Sequence, residues 1–331
     1  MSKVRYLAAR ILQMDYKNML RVAGVVAKKS GKSLFWVMRD MIHCGLTYQA
    51  GYYDYQEFEF YLLTPEQRAT YLTRGINNAI VKKYNDKAWF DRFNDKALFN
   101  EMFVDYLHRG WCDLRHLSGD EFAAFAQLHP VVIAKPVDGG GGKGVERYQL
   151  TQDPRAAYAA MCAKGQMMVE DLLAQHPALA ALYPDSVNTL RIFTFYRDGQ
   201  AHFLQAILKL GNGGIADNFS AGGMYTFLDE NGTVIVPAID RADRLYERHP
   251  RTGMRILGFQ VPFFAEARAM AEQAAALVPQ IGYVGWDIAI TPKGPAMIEG
   301  NCFPGVFQIR ASLNPEKTGV LPRYRAAGME I

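Results

Sequence analysis

The stretch GYVGWDIAITPKGPAMIEGNCFPG, Gly282 to Gly305, constrains the fold more than any other part of the chain. It reads as a β-hairpin: a β-rich run, a Pro-Lys-Gly turn, a second run, and a closing loop with Pro304 and Gly305. With the turn centred on Lys293, Asp287 faces Glu299 across the pair, and Asn301 shares their face two positions on. Val284, Trp286, Ile288, Ile290, Ala296 and Ile298 fall on the other face, which is a core surface. Opposed like charges destabilise a sheet, and Lys293 at the turn is the only basic residue within the hairpin. Two readings fit: a solvated face with partners on a neighbouring strand, or hard oxygen donors of the kind Mg²⁺ accepts beside substrate phosphates.

A second feature is the run VVIAKP followed by DGGGGKGVERYQL, in which five of the seven residues from Asp138 to Gly144 are glycine. Glycine backbone approaches a phosphate closely and aims successive N–H groups at it, so Gly140, Gly141, Gly142 and Lys143 are candidate phosphate contacts. The letters from Gly139 to Gly144 satisfy G-x-G-x-x-G, but that site needs a following helix, and Val145 to Leu150 reads as strand. A Walker loop fails too, since Gly144 stands where Ser or Thr belongs. A strand-loop-strand lid, or a plain flexible hairpin, remains.

Half of the 331 residues are hydrophobic, enough for two or three lobes. The start of the chain lacks a signal-peptide pattern and no apolar run approaches membrane-spanning length, so a cytoplasmic protein is expected. Cys44, Cys112, Cys162 and Cys302 are scattered without metal-ligand spacing, and no His near Cys302 supports a nucleophile there. Residues 1 to 40 hold nine Lys and Arg against two Asp, a balance of +7 in a chain of net +4, which leaves the remainder near −3. Such a segment is either a solvated helix face or a contact for an acidic membrane surface, an anionic glycan or a nucleic acid. No aromatic-rich nucleic-acid module is present, so nucleic acid is not an expected partner.

Apolar spacing predicts a helix from Val4 to Val26 stopped by Gly31, a second one capped by Ser33 and stopped by Gly45, and an aromatic-rich connector. Thr64-Pro65-Glu66-Gln67 opens another helix, to about Tyr84. Further on, Asn94 caps a helix running to about His108, Ser118 caps one to Leu128, and Pro154 starts one to about Ala163. From Val187 the pattern is antiparallel: NTLRIFTFY and AHFLQAILKL flank Asp198-Gly199, while GGMYTFLD and TVIVPAI flank Asn231-Gly232. An alanine-rich helix from Phe263 to Leu277 precedes the last hairpin. The class is α+β, with a helical region over 1–85, a small lobe over 86–166 and a large lobe over 167–331.

An Asp on one strand followed by Glu-x-Asn and Pro-Gly on the next resembles the metal-binding element of the ATP-grasp enzymes, such as the D-alanine:D-alanine ligases. The resemblance implies an ATP-grasp fold, two α+β lobes with ATP between them, in which Asp287, Glu299 and Asn301 hold Mg²⁺. By the same resemblance Lys96 at a helix start and Lys135 in the Lys-Pro before the lid contact ATP phosphates. MMVEDLL is similar to the hinge strand, where Glu170 and the backbone of Asp171 and Leu173 read adenine. Lys209 is then a candidate for the γ-phosphate, and Arg191, Asn218 and Arg310 for the substrate carboxylate or acyl phosphate. HPALAALYPD is an insertion relative to the shorter ligases, so no ribose contact transfers. NTLRI, ADNFSAGG and IEGNCFPG resemble the sugar-transfer associated branch, over roughly Asp86 to Arg310. Where the ligases place Arg two residues before the metal Asp, this chain has Gly285. The implied activity is an ATP-dependent carboxylate-amine ligase acting on small-molecule substrates, which forms an amide through an acyl phosphate by joining an amino acid to a uronic acid or other carboxylate of a surface-glycan precursor. The alternatives are an ATP-grasp kinase and a non-catalytic nucleotide-binding partner of a glycosyltransferase.

Overall fold

The computed structural model describes residues 15–139, 144–214 and 217–331, and the chain divides into two compact units, Met1–Ala79 with Gly305–Ile331, and Ile80–Pro304.

In the first unit the helix Tyr16–Ser30 is capped by Asp15, whose carboxylate accepts from Asn18 N at 3.0 Å, and ends on Gly31 at φ 69°. Ser33 caps Leu34–Tyr48 as expected; this helix runs past Gly45 and ends at Gln49 in the left-handed region. The aromatic connector folds as the short helix Tyr52–Glu57 and a 3-10 turn, burying Tyr55, Phe58 and Phe60. The capping box of Thr64 and Gln67 forms, but its helix stops at Arg68 and a separate helix covers Arg74–Tyr84. Side chains that bond backbone explain the break: Thr70 Oγ1 donates to Gln67 O at 2.6 Å, and Thr73 Oγ1 to Tyr48 O at 2.9 Å. The C-terminal segment is tied in by Gln308, which accepts from Leu72 N at 3.0 Å and donates to Leu72 O at 2.6 Å.

The second unit holds two antiparallel sheets. Strands β1 (Trp111–Asp113), β2 (Val131–Lys135), β3 (Glu146–Gln149) and β4 (Met168–Asp171) pair in the order β1-β4-β2-β3. Helices Gly119–Leu128 and Pro154–Ala163 cover this sheet through Phe122, Ala126 and Met161, packed on Val132, Ala134 and Val169. The larger sheet comprises β5 (Thr189–Arg197), β6 (Gln200–Leu210), β7 (Met224–Leu228), β8 (Ala238–Asp240), β9 (Leu245–Tyr246), β10 (Tyr283–Thr291) and β11 (Gly294–Asn301). Its order is β11-β10-β5-β6-β7-β8-β9.

The β5–β6 turn is at Asp198-Gly199, both at positive φ, the geometry a two-residue hairpin of right-handed twist requires. After Asn231-Gly232 the return run is irregular: Val234 makes one bridge to Leu228, and regular pairing resumes only at Ala238–Asp240. The helix Phe264–Leu277 covers the large sheet, with Ala267, Ala271 and Ala274 against Leu190, Ile192, Trp286 and Ile288. Beneath β11, Phe93 and Phe103 pack on Trp286 and Phe99 packs on both phenyl rings; Gly300 leaves room for them, since a Cβ there would sit 2.7 Å from Phe93 and 2.9 Å from Phe99. The helix expected to start at Asn94 is capped instead by Asp95, which accepts from Ala97 N and Leu98 N, and it is interrupted at Phe103. The shift makes Lys96 the first helical residue.

Candidate active site

In the terminal hairpin Asp287 lies opposite Glu299, and Asn301 opposite Gly285. The pairing nearer the turn is offset by one residue: Ile288 faces Met297 and Thr291 faces Gly294, with a bulge between. The bulge corrects one expectation. Met297 rather than Ile298 joins the core, and Ile298 lines a cavity of about 630 Å³ together with Asp287 and Glu299. It also explains why the register at the carboxylates is the one a turn centred on Lys293 gives, although the turn sits half a residue earlier.

The positive charge absent from the hairpin comes from its neighbours in the sheet. Arg191, directly across from Asp287 on β5, donates Nε to Oδ1 and Nη2 to Oδ2, both at 2.7 Å, and Lys209 on β6 donates to Oδ2 at 2.9 Å. Burial opposes ionisation of Asp287, but Arg191 and Lys209 prevail and hold its carboxyl well below the usual range. Glu299 differs. Burial and the facing Asp287 push its carboxyl up, and among the described residues its side chain has no hydrogen bond or direct ion pair. Asn301 donates its amide N to Gly285 O at 3.3 Å, with no hydrogen bond to its side-chain oxygen among the described residues. One carboxylate with no direct ion pair among the described residues, a second already ionised and an amide oxygen form a donor set that suits a hard divalent cation.

Lys96, Lys135, Glu170, Asp171, Leu173, Lys209 and Asn218 line the same cavity as Asp287 and Glu299. Lys96 reaches Gly139 O at 2.8 Å at the base of the lid, and burial, then the charge of Lys135, pull its ammonium below its ordinary value. Glu170 is locked: it accepts from Arg109 at 2.7 Å and Asn100 at 2.9 Å, and it pairs with Lys135. The Asp171 amide is spent on Gly110 O, and its carboxylate on Gly110 N and His129. By contrast Leu172, Leu173 and Ala174 line the cavity and make no backbone hydrogen bond among the described residues. The backbone groups left open on this wall of the cavity are therefore those of Leu172–Ala174, whereas the Glu170 carboxylate and the Asp171 amide are already engaged. Asn218 also has no side-chain partner among the described residues.

Other expected positions fall elsewhere. Arg191 lies behind Asp287, its third contact being Pro304 O at 3.3 Å, so it acts on that carboxylate. Its Cδ lies 3.3 Å from where a Cβ on Gly285 would stand. Arg310 belongs to the first unit, where its charge acts on Glu57. Gly140, Gly141, Gly142 and Lys143 lie outside the described residues.

Sequence reasoning missed Arg109. Its guanidinium bonds Met297 O and Glu170, and reaches Ile298 O at 3.4 Å, so one buried cation ties the bulge in β11 to strand β4. Nothing local marks it beyond a bond to Leu107 O, because its other partners lie 61, 188 and 189 residues away.

The chain belongs to the sugar-transfer associated ATP-grasp family, whose sequence profile matches residues 75–320. Among functionally curated proteins none matches it. Similar solved structures include the ATP-grasp ligase PsnB with a minimal precursor, at 14% identity over 68% of this chain and 57% of that one, TM-score 0.41. Another is D-alanyl-alanine synthetase A from Vibrio cholerae, at 12% identity over 72% of this chain and 61% of that one, TM-score 0.38. A third is biotin carboxylase from Campylobacter jejuni, at 13% identity over 67% of this chain and 42% of that one, TM-score 0.41. The chain spans under two thirds of the length of each, and at this similarity no chemistry passes from them to it.

Proposed function

We propose that this protein is an ATP-dependent carboxylate-amine ligase, working on small-molecule substrates of which the carboxylate is a uronic acid of a surface-glycan precursor. The observation that supports it most is Glu299, a half-buried carboxylate facing a second one and making no direct ion pair among the described residues, in a cavity that also holds three lysines and the open backbone of Leu172–Ala174. Asp287, Glu299 and Asn301 would hold Mg²⁺, which neutralises phosphate charge when bound. Leu172–Ala174 offer backbone groups to the adenine edge, and Lys96, Lys135 and Lys209 face the phosphates. A substrate carboxylate attacks the γ-phosphorus, breaking its bond to the bridging oxygen and releasing ADP, to give an acyl phosphate; an amine then attacks the acyl carbon and, with loss of a proton, displaces inorganic phosphate to leave an amide. Asn218 is placed to orient the acyl group. The reading draws on the family, whose name associates it with sugar transfer, for the glycan substrate.

The test is phosphate release from ATP with Mg²⁺ across paired pools of uronic acids and amino acids, alongside Glu299→Gln and Lys135→Ala. Release that needs both partners and collapses in both variants is expected. A phosphoester product without amide would make the protein a kinase, and nucleotide binding without turnover under every pairing would leave a docking module.

A further inference from the structure

We propose that the helices Tyr16–Ser30 and Leu34–Tyr48 of the first unit form a docking face for an anionic lipid surface. The helix Leu34–Tyr48 is apolar on opposite sides. Val37, Met41 and Cys44, spaced by four and three, are buried, while Phe35, Ile42 and Leu46 on the reverse side are 79%, 52% and 60% exposed. An ordinary surface helix carries polar residues there. The stripe from Phe35 to Leu46 extends ~16 Å along the axis. Arg39 is its only charged member, and Leu34 at its start and Leu20 on the preceding helix add further exposed apolar surface.

Charge selects the occupant. From Tyr16 to Tyr48 there are six Lys and Arg and one acid, Asp40. Asp40 is committed to Arg68, which binds both its oxygens at 2.8 and 2.7 Å. Lys28, Lys32 and Arg39 are exposed, Arg39 within the apolar stripe, and Lys32 covers the Trp36 ring at 3.6 Å. A second copy docking by two-fold symmetry would set these cations against themselves, and a nucleic-acid backbone has no use for an exposed phenyl ring and two aliphatic chains. Acyl chains beneath anionic headgroups satisfy both sets of side chains. No helix among the described residues is long and apolar enough to cross a membrane, so the contact is interfacial.

The experiment is flotation of the full chain with vesicles of phosphatidylcholine alone and of phosphatidylcholine mixed with phosphatidylglycerol, at low and raised salt. Binding to the anionic vesicles only, weakened by salt, is expected. Phe35→Ser with Ile42→Ser should reduce partitioning at least tenfold without changing net charge, and Lys32→Glu with Arg39→Glu by at least fivefold per site. Circular dichroism and thermal unfolding should stay as in the wild type, since these side chains are exposed. Absence of binding at low salt, equal binding to neutral vesicles, or double variants that float like the wild type would overturn the proposal. So would a concentration-dependent dimer that Phe35→Ser with Ile42→Ser dissolves. None of these readouts involves ATP, so the result stands apart from the fate of the ligase reading.

Discussion

Replacing Glu299 by Gln keeps the shape of the hairpin and removes one of two opposed charges. Carboxylates facing across adjacent strands lie about 5 Å apart, and at an effective dielectric constant near 20 their repulsion is about 3 kcal/mol. Arg191 and Lys209, both on Asp287, cancel most of it. A net gain of ~1 kcal/mol for Glu299→Gln follows, or a rise of ~2–4 °C in Tm for a unit of this size. The gain is pH-dependent. Because burial and Asp287 raise the Glu299 carboxyl, the native state holds its proton more tightly than the unfolded chain does. The stability cost of Glu299 is therefore absent in acid, begins above the ordinary glutamate value of ~4.3, and is complete once pH exceeds the raised value. Differential scanning calorimetry from acid to neutral pH, without nucleotide, should show the variant and wild type converging in acid and parting as pH rises. Adding Mg²⁺ and ATP at ~100-fold over Kd should then stabilise the wild type by ~3 kcal/mol and the variant far less. A variant less stable than wild type at neutral pH, or one stabilised equally by the Mg²⁺-nucleotide, would refute the reasoning.

Glu170→Gln should destabilise the unit by ~3–5 kcal/mol at neutral pH, since Arg109 and Lys135 are left buried without their counter-charge. Burial disfavours the Glu170 carboxylate, but these two cations hold its pKa low, so its contribution is full above the ordinary glutamate value and lost as pH falls through the depressed one. Urea titrations of variant and wild type should converge in strong acid. Gly300→Ala drives a methyl into the Phe93 and Phe99 rings and should cost ~1–3 kcal/mol in the same titration, with unchanged stability counting against the packing described. Arg191→Lys keeps the charge but loses the paired bonds to Asp287; Mg²⁺-dependent nucleotide binding, read by calorimetry, should weaken about tenfold while the fold persists. Equal affinity would show that Arg191 does not orient Asp287.

Much of the site was legible because it rests on short-range rules. Period-two alternation and a turn placed Asp287 opposite Glu299, and a capping rule put Lys96 at a helix start within one residue. The bulge at Ile298 was not legible, since two-against-one pairing leaves the local letters unchanged while exchanging Met297 for Ile298 in the core. Nor were the counter-ions, because Lys209 and Arg191 reach Asp287 across 78 and 96 residues of intervening chain. Likewise, that Glu170 is locked by Arg109 and Asn100 follows from tertiary packing alone. The break after Arg68 could have been read from Thr70 and Thr73, whose hydroxyls compete for backbone groups.

The backbone of Leu72 is completed by Gln308, 236 residues later. On a translating ribosome the helical unit therefore waits with Leu72 N–H and C=O unanswered until Gln308 has been made, whereas Ile80–Pro304 is continuous and can condense as it emerges. The unit that holds the cavity is thus able to assemble before the helical unit is completed at Leu72. A chain cut short before Gln308 would carry a finished cavity on an unfinished helical unit, and quality control would meet the defect there.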